Sequence, residues 1–357
     1  MNVDAQLMAD KIRAIFGANT VISSLTALAG DASSRRYHRA RIETPGAPKS
    51  VIIMELPAGS SLPLSSDELA VFKEVPQELP FLNMHRFLSR IGVRVPKLYG
   101  DWESQGILLL EDLGDTALWD RVQGLAQSEV VGWYEKAIDE LLVLQIRGTQ
   151  ARDQACIAFQ QRFDLRLYMW EFDHFLEYGL EARPDTRIAK SAIEELRRIF
   201  LDIARRLDQY PACLNHRDYH SWNLMIHDNT VAVIDFQDAL LAPPQYDLAS
   251  LLNDRITDSV IEPHLEERLI RYYLRQRADS EKRTIDKDEF FEIYLLSAIQ
   301  RDLKVVGRFY YLDVVKGKPG YKKFIPPTVH RLKRNIARVP QLEPVIPILA
   351  EHYEEMR

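Results

Sequence analysis

One stretch constrains this chain more than any other: residues 211–238, PACLNHRDYHSWNLMIHDNTVAVIDFQD. An apolar approach ends at Asn215 and gives way to a polar loop over 216–223. The apolar run Leu224, Met225, Ile226 follows, then Asp228 and Asn229. A second run, Val231, Ala232, Val233 and Ile234, delivers Asp235 at its end. Asp-Asn between two apolar runs is turn chemistry, so the stretch predicts a loop entering a β-hairpin. That geometry brings Asp218, Asn223 and Asp235 together near one end of the hairpin.

Phosphoryl transfer asks little covalent work of a protein; it needs nucleotide phosphates and metal held in line with an acceptor hydroxyl. Asp218 is placed to accept the proton of the attacking hydroxyl. The Asn223 amide oxygen and the Asp235 carboxylate are hard donors that suit Mg²⁺. The pattern H-R-D-x-x-x-x-N, followed by an apolar strand and D-F, is that of protein-kinase-like enzymes. Here it reads His216-Arg217-Asp218 to Asn223, then Asp235-Phe236-Gln237. Turn capping alone does not need this whole set. Zinc is a rival, since Cys213, His216, His220 and His227 are close in sequence. Structural zinc takes paired ligands at tight spacing, and no second cysteine lies nearby. The residues favour kinase chemistry.

The length, 357 residues, allows two lobes or one large domain. Hydrophobic residues at 46% and charged residues at 27% are ordinary for a globular protein. A formal net charge of −6 argues against nucleic acid as the main partner, which usually selects a basic face. Two cysteines, Cys156 and Cys213, suggest no disulfide framework and fit a reduced, cytoplasmic setting. Acidic residues interrupt the apolar pattern of the first helix, and no stretch approaches ~18 uncharged apolar residues, so neither a signal peptide nor a membrane span is expected.

Around the central stretch the chain reads as strands, then helices. Residues 4–16 have helical spacing, and 21–28, 37–42 and 51–57 predict three strands. The polar turn over 30–37 is where a loop would cover nucleotide phosphates. There Ser33 and Ser34 offer hydroxyl and backbone donors, and Arg35 or Arg36 a bidentate guanidinium; a solvated hairpin turn is the competing reading. The third strand carries Met54 where protein kinases carry a phosphate-binding lysine, with Lys49, Arg35 and Arg36 as candidates for the missing charge. Residues 58–80 predict a connection with a short helix at 67–72. Residues 81–91 predict a helix ended by Gly92. Paired strands at 97–102 and 107–110 run into the acidic 111–115, as into a hinge whose backbone near Glu111 and Leu113 meets an adenine edge. A plain strand-to-helix turn is the alternative there.

From residue 116 the periodicity is helical, with helices predicted at 128–146, 163–178, 185–207, 246–252, 263–276 and 288–308. The second carries Glu171, His174 and Tyr178 on one face, suited to a hydroxyl-rich acceptor or to plain solvation. Asp247 reads as a brace behind the catalytic loop. The loop at 316–323 is locally basic and suits a phosphate or an acidic substrate.

With these residues laid out, the chain resembles the aminoglycoside-phosphotransferase-like branch of the kinase superfamily. Within it, the likeness is to bacterial kinases that phosphorylate N-acetylmuramate and N-acetylglucosamine at the 1-hydroxyl in cell-wall recycling. It is carried by 30–37, 109–115, 216–225, 234–238, 246–248 and 317–321. The resemblance implies an α+β, two-lobed protein-kinase-like fold: a small β-rich N-lobe over 1–110, a hinge over 111–115, and a larger, mainly helical C-lobe over 116–357. It implies ATP and Mg²⁺ as cofactors, Asp218 as base, Asn223 and Asp235 as metal ligands, and 111–113 for adenine. It also implies sugar contacts from Glu171, His174, His220, Gln237 and Asp238. Met54, and Asp-Phe-Gln in place of Asp-Phe-Gly, depart from protein kinases and argue against an activation-loop switch.

The expected activity is ATP-dependent phosphorylation of a small-molecule sugar, the anomeric hydroxyl first. The expected bearer is a cytoplasmic protein, a monomer, with neither nucleic acid nor membrane as partner. One alternative is transfer to another hydroxyl, on an aminoglycoside, a choline-like alcohol or an amino alcohol. The other is a nucleotide-binding pseudokinase scaffold, which Met54 favours and the retention of Asp218, Asn223 and Asp235 opposes.

Overall fold

Two faces of one sheet organise the first part of the chain. The computed structural model describes residues 4–28, 35–56, 78–183 and 187–357. Its first elements are α1 (Ala5–Phe16), β1 (Ile22–Ala27), β2 (Arg36–Ile42), β3 (Ser50–Glu55), α2 (Pro80–Ile91), β4 (Leu98–Trp102) and β5 (Ile107–Glu111). The strands form one antiparallel sheet in the order β1-β2-β3-β5-β4. Successive side chains of a strand point to opposite faces. Val51, Ile53, Ile107 and Leu109 therefore pack with Met8 and Ile12 of α1 in a small core of their own. Met54, Leu108 and Leu110 face the other way and join the main core with α2. Asp4 starts α1 by accepting the Leu7 N–H at 2.6 Å, a cap worth about 1 kcal/mol. Gly92 ends α2 at φ 87°, a left-handed conformation that glycine adopts without a Cβ penalty. The helix expected at 67–72 lies outside the described residues.

Beyond β5 the chain is mainly helical. α3 (Leu118–Val122) and α4 (Gln127–Leu142) lead into a π-turn at Val143–Arg147 and a last turn, α5 (Gly148–Gln150). The single helix expected over 128–146 thus ends in a π-segment, which puts Gln145 in the interior. Gln145 Nε2 donates to Asn215 Oδ1 at 3.2 Å and to Pro244 O at 2.9 Å, and its Oε1 accepts from Tyr273 and Arg277. α6 (Leu165–His174) passes into a second π-turn, Phe175–Glu181, and α7 (Lys190–Gln209) presents Ile193, Leu196, Phe200, Ile203 and Leu207 to the core.

Short strands then frame the central stretch. β6 (Cys213–Asn215) pairs with β9 (Leu240–Ala242), and between them β7 (Leu224–His227) and β8 (Thr230–Val233) form the expected hairpin. Asp228 and Asn229 sit at φ 47° and 59°, the left-handed pair that a type I′ turn requires. α8 (Gln245–Leu252), α9 (Pro263–Glu281), α10 (Lys287–Val314), α11 (Ile325–Ile336) and α12 (Val345–Ala350) complete the fold. Pro326 and Pro327 fall in the first turn of α11, where a missing N–H costs no hydrogen bond.

α10 crosses the middle of this helical layer. A Cβ on Gly307 would stand 2.7 Å from Phe175 Cα and 3.1 Å from His174 O. Glycine at this point lets α10 lie directly on the π-turn that follows α6. The close approach sets the distance between side chains of α6 and α10, and through them the loop over 216–223.

Candidate active site

The loop over 216–223 is held from behind before it does anything in front. Asp247, fully buried in the first turn of α8, accepts the His216 N–H at 2.5 Å and the Arg217 N–H at 2.9 Å. The brace expected of Asp247 is what its hydrogen bonds describe. His216 Nε2 meets Ile234 O at 2.9 Å, tying the loop to the strand that precedes Asp235. Arg217 has φ 82°, unfavourable for a side chain of its size, yet three groups fix it. Asp247 takes its N–H, Arg301 Nη1 donates to its carbonyl at 2.7 Å, and its guanidinium meets Glu171 at 3.2 Å. The strained residue aims the next one, Asp218.

Asp218 is half-exposed, in a strongly cationic setting. Arg301 Nη2 lies 3.7 Å from Asp218 Oδ1, and the Arg301 guanidinium stacks on the Tyr246 ring at 4.9 Å. Desolvation acts to raise the Asp218 pKa. The charges of Lys304, Arg301 and Arg217 act against it and prevail, holding the carboxyl well below the usual carboxylate range. Glu171, expected to touch an acceptor, lies at 0% exposure. It is engaged by Lys304 Nζ at 3.1 Å, Arg217 Nη2 at 3.2 Å and Gln300 Nε2 at 2.7 Å. Its carboxylate thus faces the loop over 216–223 and α10.

Asn223 Nδ2 donates to Asp218 O at 3.0 Å, which leaves the side-chain oxygen as its acceptor face. The Ile234 N–H donates to Asn223 O at 3.0 Å, so loop and hairpin are stitched at this point. Asp235 follows at φ 61°, and Gln237 Nε2 donates to its Oδ1 at 2.8 Å. Among the described residues no group of three or more His, Cys, Asp or Glu side chains converges to hold a metal by itself. An amide oxygen and a carboxylate instead suit Mg²⁺ that completes its shell with phosphate oxygens and water, so the donor set fits that ion.

The expected nucleotide residues fall in different places. Ser33 and Ser34 lie outside the described residues. Arg35 is buried and hydrogen-bonds Tyr37, which pairs across the sheet with Met54. Burial raises the Tyr37 pKa, Arg35 opposes the rise and the Asp235 charge adds to it, so Arg35, Tyr37 and Asp235 are electrostatic neighbours. Arg36 is exposed and pairs with Glu55 in the strand register. The Glu111 N–H is taken by Lys97 O at 2.8 Å, and its carboxylate by Arg94 at 2.7 Å. That carboxylate lines a cavity of about 840 Å³ with Val93, Lys136, Asp139 and His227, apart from Asp218 and Asp235. Leu113 is buried. Arg39 of β2 clasps the same segment, at 2.7 Å to Asp112 and 2.8 Å to Asp115.

The expected acceptor residues are likewise dispersed. His174 stacks with Trp170, ring centroids 5.6 Å apart, and tilts against Tyr178 and Tyr311. Gln237 is buried against Asp235, and Asp238 is half-buried in the turn after it. His220 sits beside Asn223 and 5.9 Å from the Trp222 ring. Burial lowers its pKa against the opposing charge of Asp254. Sequence reasoning missed Arg301 and Lys304. They stand on a helix charged on several sides, and no local spacing links them to a loop some 80 residues earlier.

Residues 24–284 match the family model described as "Phosphotransferase enzyme family". The chain is 29% identical over 335 residues to an N-acetylmuramate/N-acetylglucosamine kinase of Pseudomonas aeruginosa, covering 92% of this chain and 88% of that one. It is 30% identical over 330 residues to the protein of the same name in Pseudomonas putida, with the same coverage. Among solved structures, the choline kinase LicA of Streptococcus pneumoniae superposes with a TM-score of 0.56 at 15% identity, over 93% of this chain and 98% of that one. The ADP-bound aminoglycoside phosphotransferase APH(2'')-Ib gives 0.55 at 15% identity, over 91% and 97%. These structures share the expected two-lobed, protein-kinase-like fold. The chain belongs to the phosphotransferase enzyme family.

Proposed function

We propose that the chain is an ATP- and Mg²⁺-dependent kinase that phosphorylates the anomeric 1-hydroxyl of N-acetylmuramate or N-acetylglucosamine. The observation that carries this reading is Asp218, held as a carboxylate by Lys304, Arg301 and Arg217 and linked through Asn223 to Ile234, the residue before Asp235. A carboxylate with so low a pKa is a weak base. It suits a loose phosphoryl-transfer transition state, in which the acceptor proton leaves late and orientation matters most. An anomeric hydroxyl is also more acidic than an ordinary alcohol, which eases the same demand. Asp218 orients that hydroxyl and takes its proton; Asn223 and Asp235 are the side chains to hold Mg²⁺, which when bound neutralises charge on the phosphates.

Arg35 is our candidate for the charge missing at Met54, since it is buried in the neighbourhood of Asp235. We divide the chain into an N-lobe over 1–110, a hinge over 111–115 clasped by Arg39, and a C-lobe over 116–357. The relatives' names and two buried free cysteines support a cytoplasmic role in reusing cell-wall sugars. The cations around Asp218 count against a cationic acceptor such as choline or an aminoglycoside. The experiment is ADP release by the purified protein with Mg·ATP across a panel of sugars, choline, ethanolamine and aminoglycosides. Turnover is expected with N-acetylmuramate or N-acetylglucosamine. Turnover confined to amino alcohols or aminoglycosides rejects the sugar, and Mg·ATP binding without any turnover supports a scaffold.

A further inference from the structure

The cations nearest Asp218 are already committed. Arg217 and Lys304 engage Glu171, and Arg301 engages the Arg217 carbonyl and the Tyr246 ring. A fourth cation stands on the other flank of the loop. Trp222, next to Asn223, stacks on Trp119 with centroids 4.7 Å apart and planes 19° apart, and carries the Arg255 guanidinium over its ring at 4.6 Å. Phe324 lies 5.8 Å from the same guanidinium. The Trp119 N–H donates to Ser221 O at 3.2 Å, so this aromatic group is fastened to the catalytic loop.

Arg255 is held in place from the interior. Its φ of 43° is a left-handed conformation unfavourable for a long side chain. Its carbonyl accepts from Arg331 Nη1 at 2.9 Å, and Arg331 is buried against Asp302 at 2.7 Å. At the other end, Nε approaches Asp254 Oδ2 at 3.5 Å, while Nη1 and Nη2 have no hydrogen bond or ion pair among the described residues. The side chain is 20% exposed, against 2% for Arg217 and 3% for Arg301. His220 packs edge-on against the same Trp222 ring, centroids 5.9 Å apart, so Arg255 and the loop that carries Asp218 share one aromatic group.

We propose that Arg255 recognises the carboxylate of an acidic acceptor sugar, through the two guanidinium nitrogens left open beside the Trp119–Trp222 stack. The proposal rests on the sugar-kinase reading and adds to it the residue that distinguishes acid from neutral sugar. A planar guanidinium matches a carboxylate bidentately, and stacking on rings fixes its plane without using its N–H groups. An acceptor without a carboxylate leaves that edge to water.

The test uses initial-rate kinetics of the full chain with N-acetylmuramate, its methyl ester and N-acetylglucosamine. The wild type should show a KM for the acid about tenfold or more below that for the ester, a comparison independent of any variant's folding. Arg255→Gln should raise the KM for N-acetylmuramate about tenfold while shifting that for N-acetylglucosamine less than about threefold, and Arg255→Lys should recover part of the loss. Equal KM values for acid and ester, an equal rise for both sugars in Arg255→Gln, or turnover of N-acetylglucosamine alone overturns the assignment and leaves the sugar-kinase reading standing. Turnover of neither sugar by the wild type defeats that reading and this inference with it.

Discussion

Asp218 keeps its charge in a half-buried position because Lys304, Arg301 and Arg217 surround it. Glu171 is the counter-ion that lets two of those cations stay in the interior. Glu171→Gln removes the buried carboxylate that both engage, and breaking a buried pair costs about 3–5 kcal/mol. Urea unfolding should register a loss of that order together with a fall in kcat. A rise in sugar KM at unchanged stability would return Glu171 to the acceptor role its helical spacing suggests. Asp247 makes a pH prediction. Burial pushes its pKa up to about 6, against the opposing charge of His216. An aspartate titrates near 3.9 in the unfolded chain, so between about pH 4 and 6 the native state holds more protons and this group lowers stability as pH rises. Asp218, held low, acts in the opposite sense and only below about pH 3.9. Unfolding free energies measured from pH 4 to 7 should therefore show a different slope in Asp247→Asn, with the falling component removed. An unchanged slope contradicts the shift. At this scale the sequence was informative where the contacts are local. Asp218, Asn223 and the residue before Asp235 are bonded within one loop and one hairpin, whereas Arg255, in the turn after α8, and Lys304, on α10, arrive from segments whose packing no local pattern reveals.

α10 is the element through which packing reaches the chemistry. Gln300, Arg301 and Lys304 occupy little more than one of its turns, and Gly307 lies about one turn further on, against Phe175 backbone. Gly307→Ala forces α10 away from the π-turn, and overpacking of this kind costs about 1–3 kcal/mol. The variant should lose stability by that amount and show a lower kcat, read by thermal unfolding and steady-state rates. Wild-type rates would mean that the α10 contact does not position Asp218. Strand alternation, the Asp-Asn turn and the Gly92 stop were legible because each rests on short-range stereochemistry. The π-turns after α4 and α6 were not, since they depend on Gln145 and Phe175 meeting partners far along the chain. No element was expected over α11, which carries Pro326 and Pro327 in its first turn, where proline is tolerated.

For the whole molecule, the account is of a sheet and a helical layer meeting around the loop over 216–223, with Arg39 clasping Asp112 and Asp115 where the two parts join. The overall architecture was readable from strands followed by helices and from one loop with coupled positions. Met54 in the place of a lysine marks the point where that reading stops, because no local pattern in the sequence tells which of the nearby cations, buried Arg35 among them, stands in for it. The central claim is that Asp218 directs phosphate to an anomeric hydroxyl. Phosphorus NMR of the product made from Mg·ATP and N-acetylmuramate tests it most directly, with wild type and Asp218→Asn run side by side. The account predicts an acid-labile phosphate on the anomeric carbon, formed roughly 10²–10⁴-fold more slowly by the variant with Mg·ATP binding retained. A phosphate ester on any other hydroxyl, or equal rates from both proteins, contradicts it.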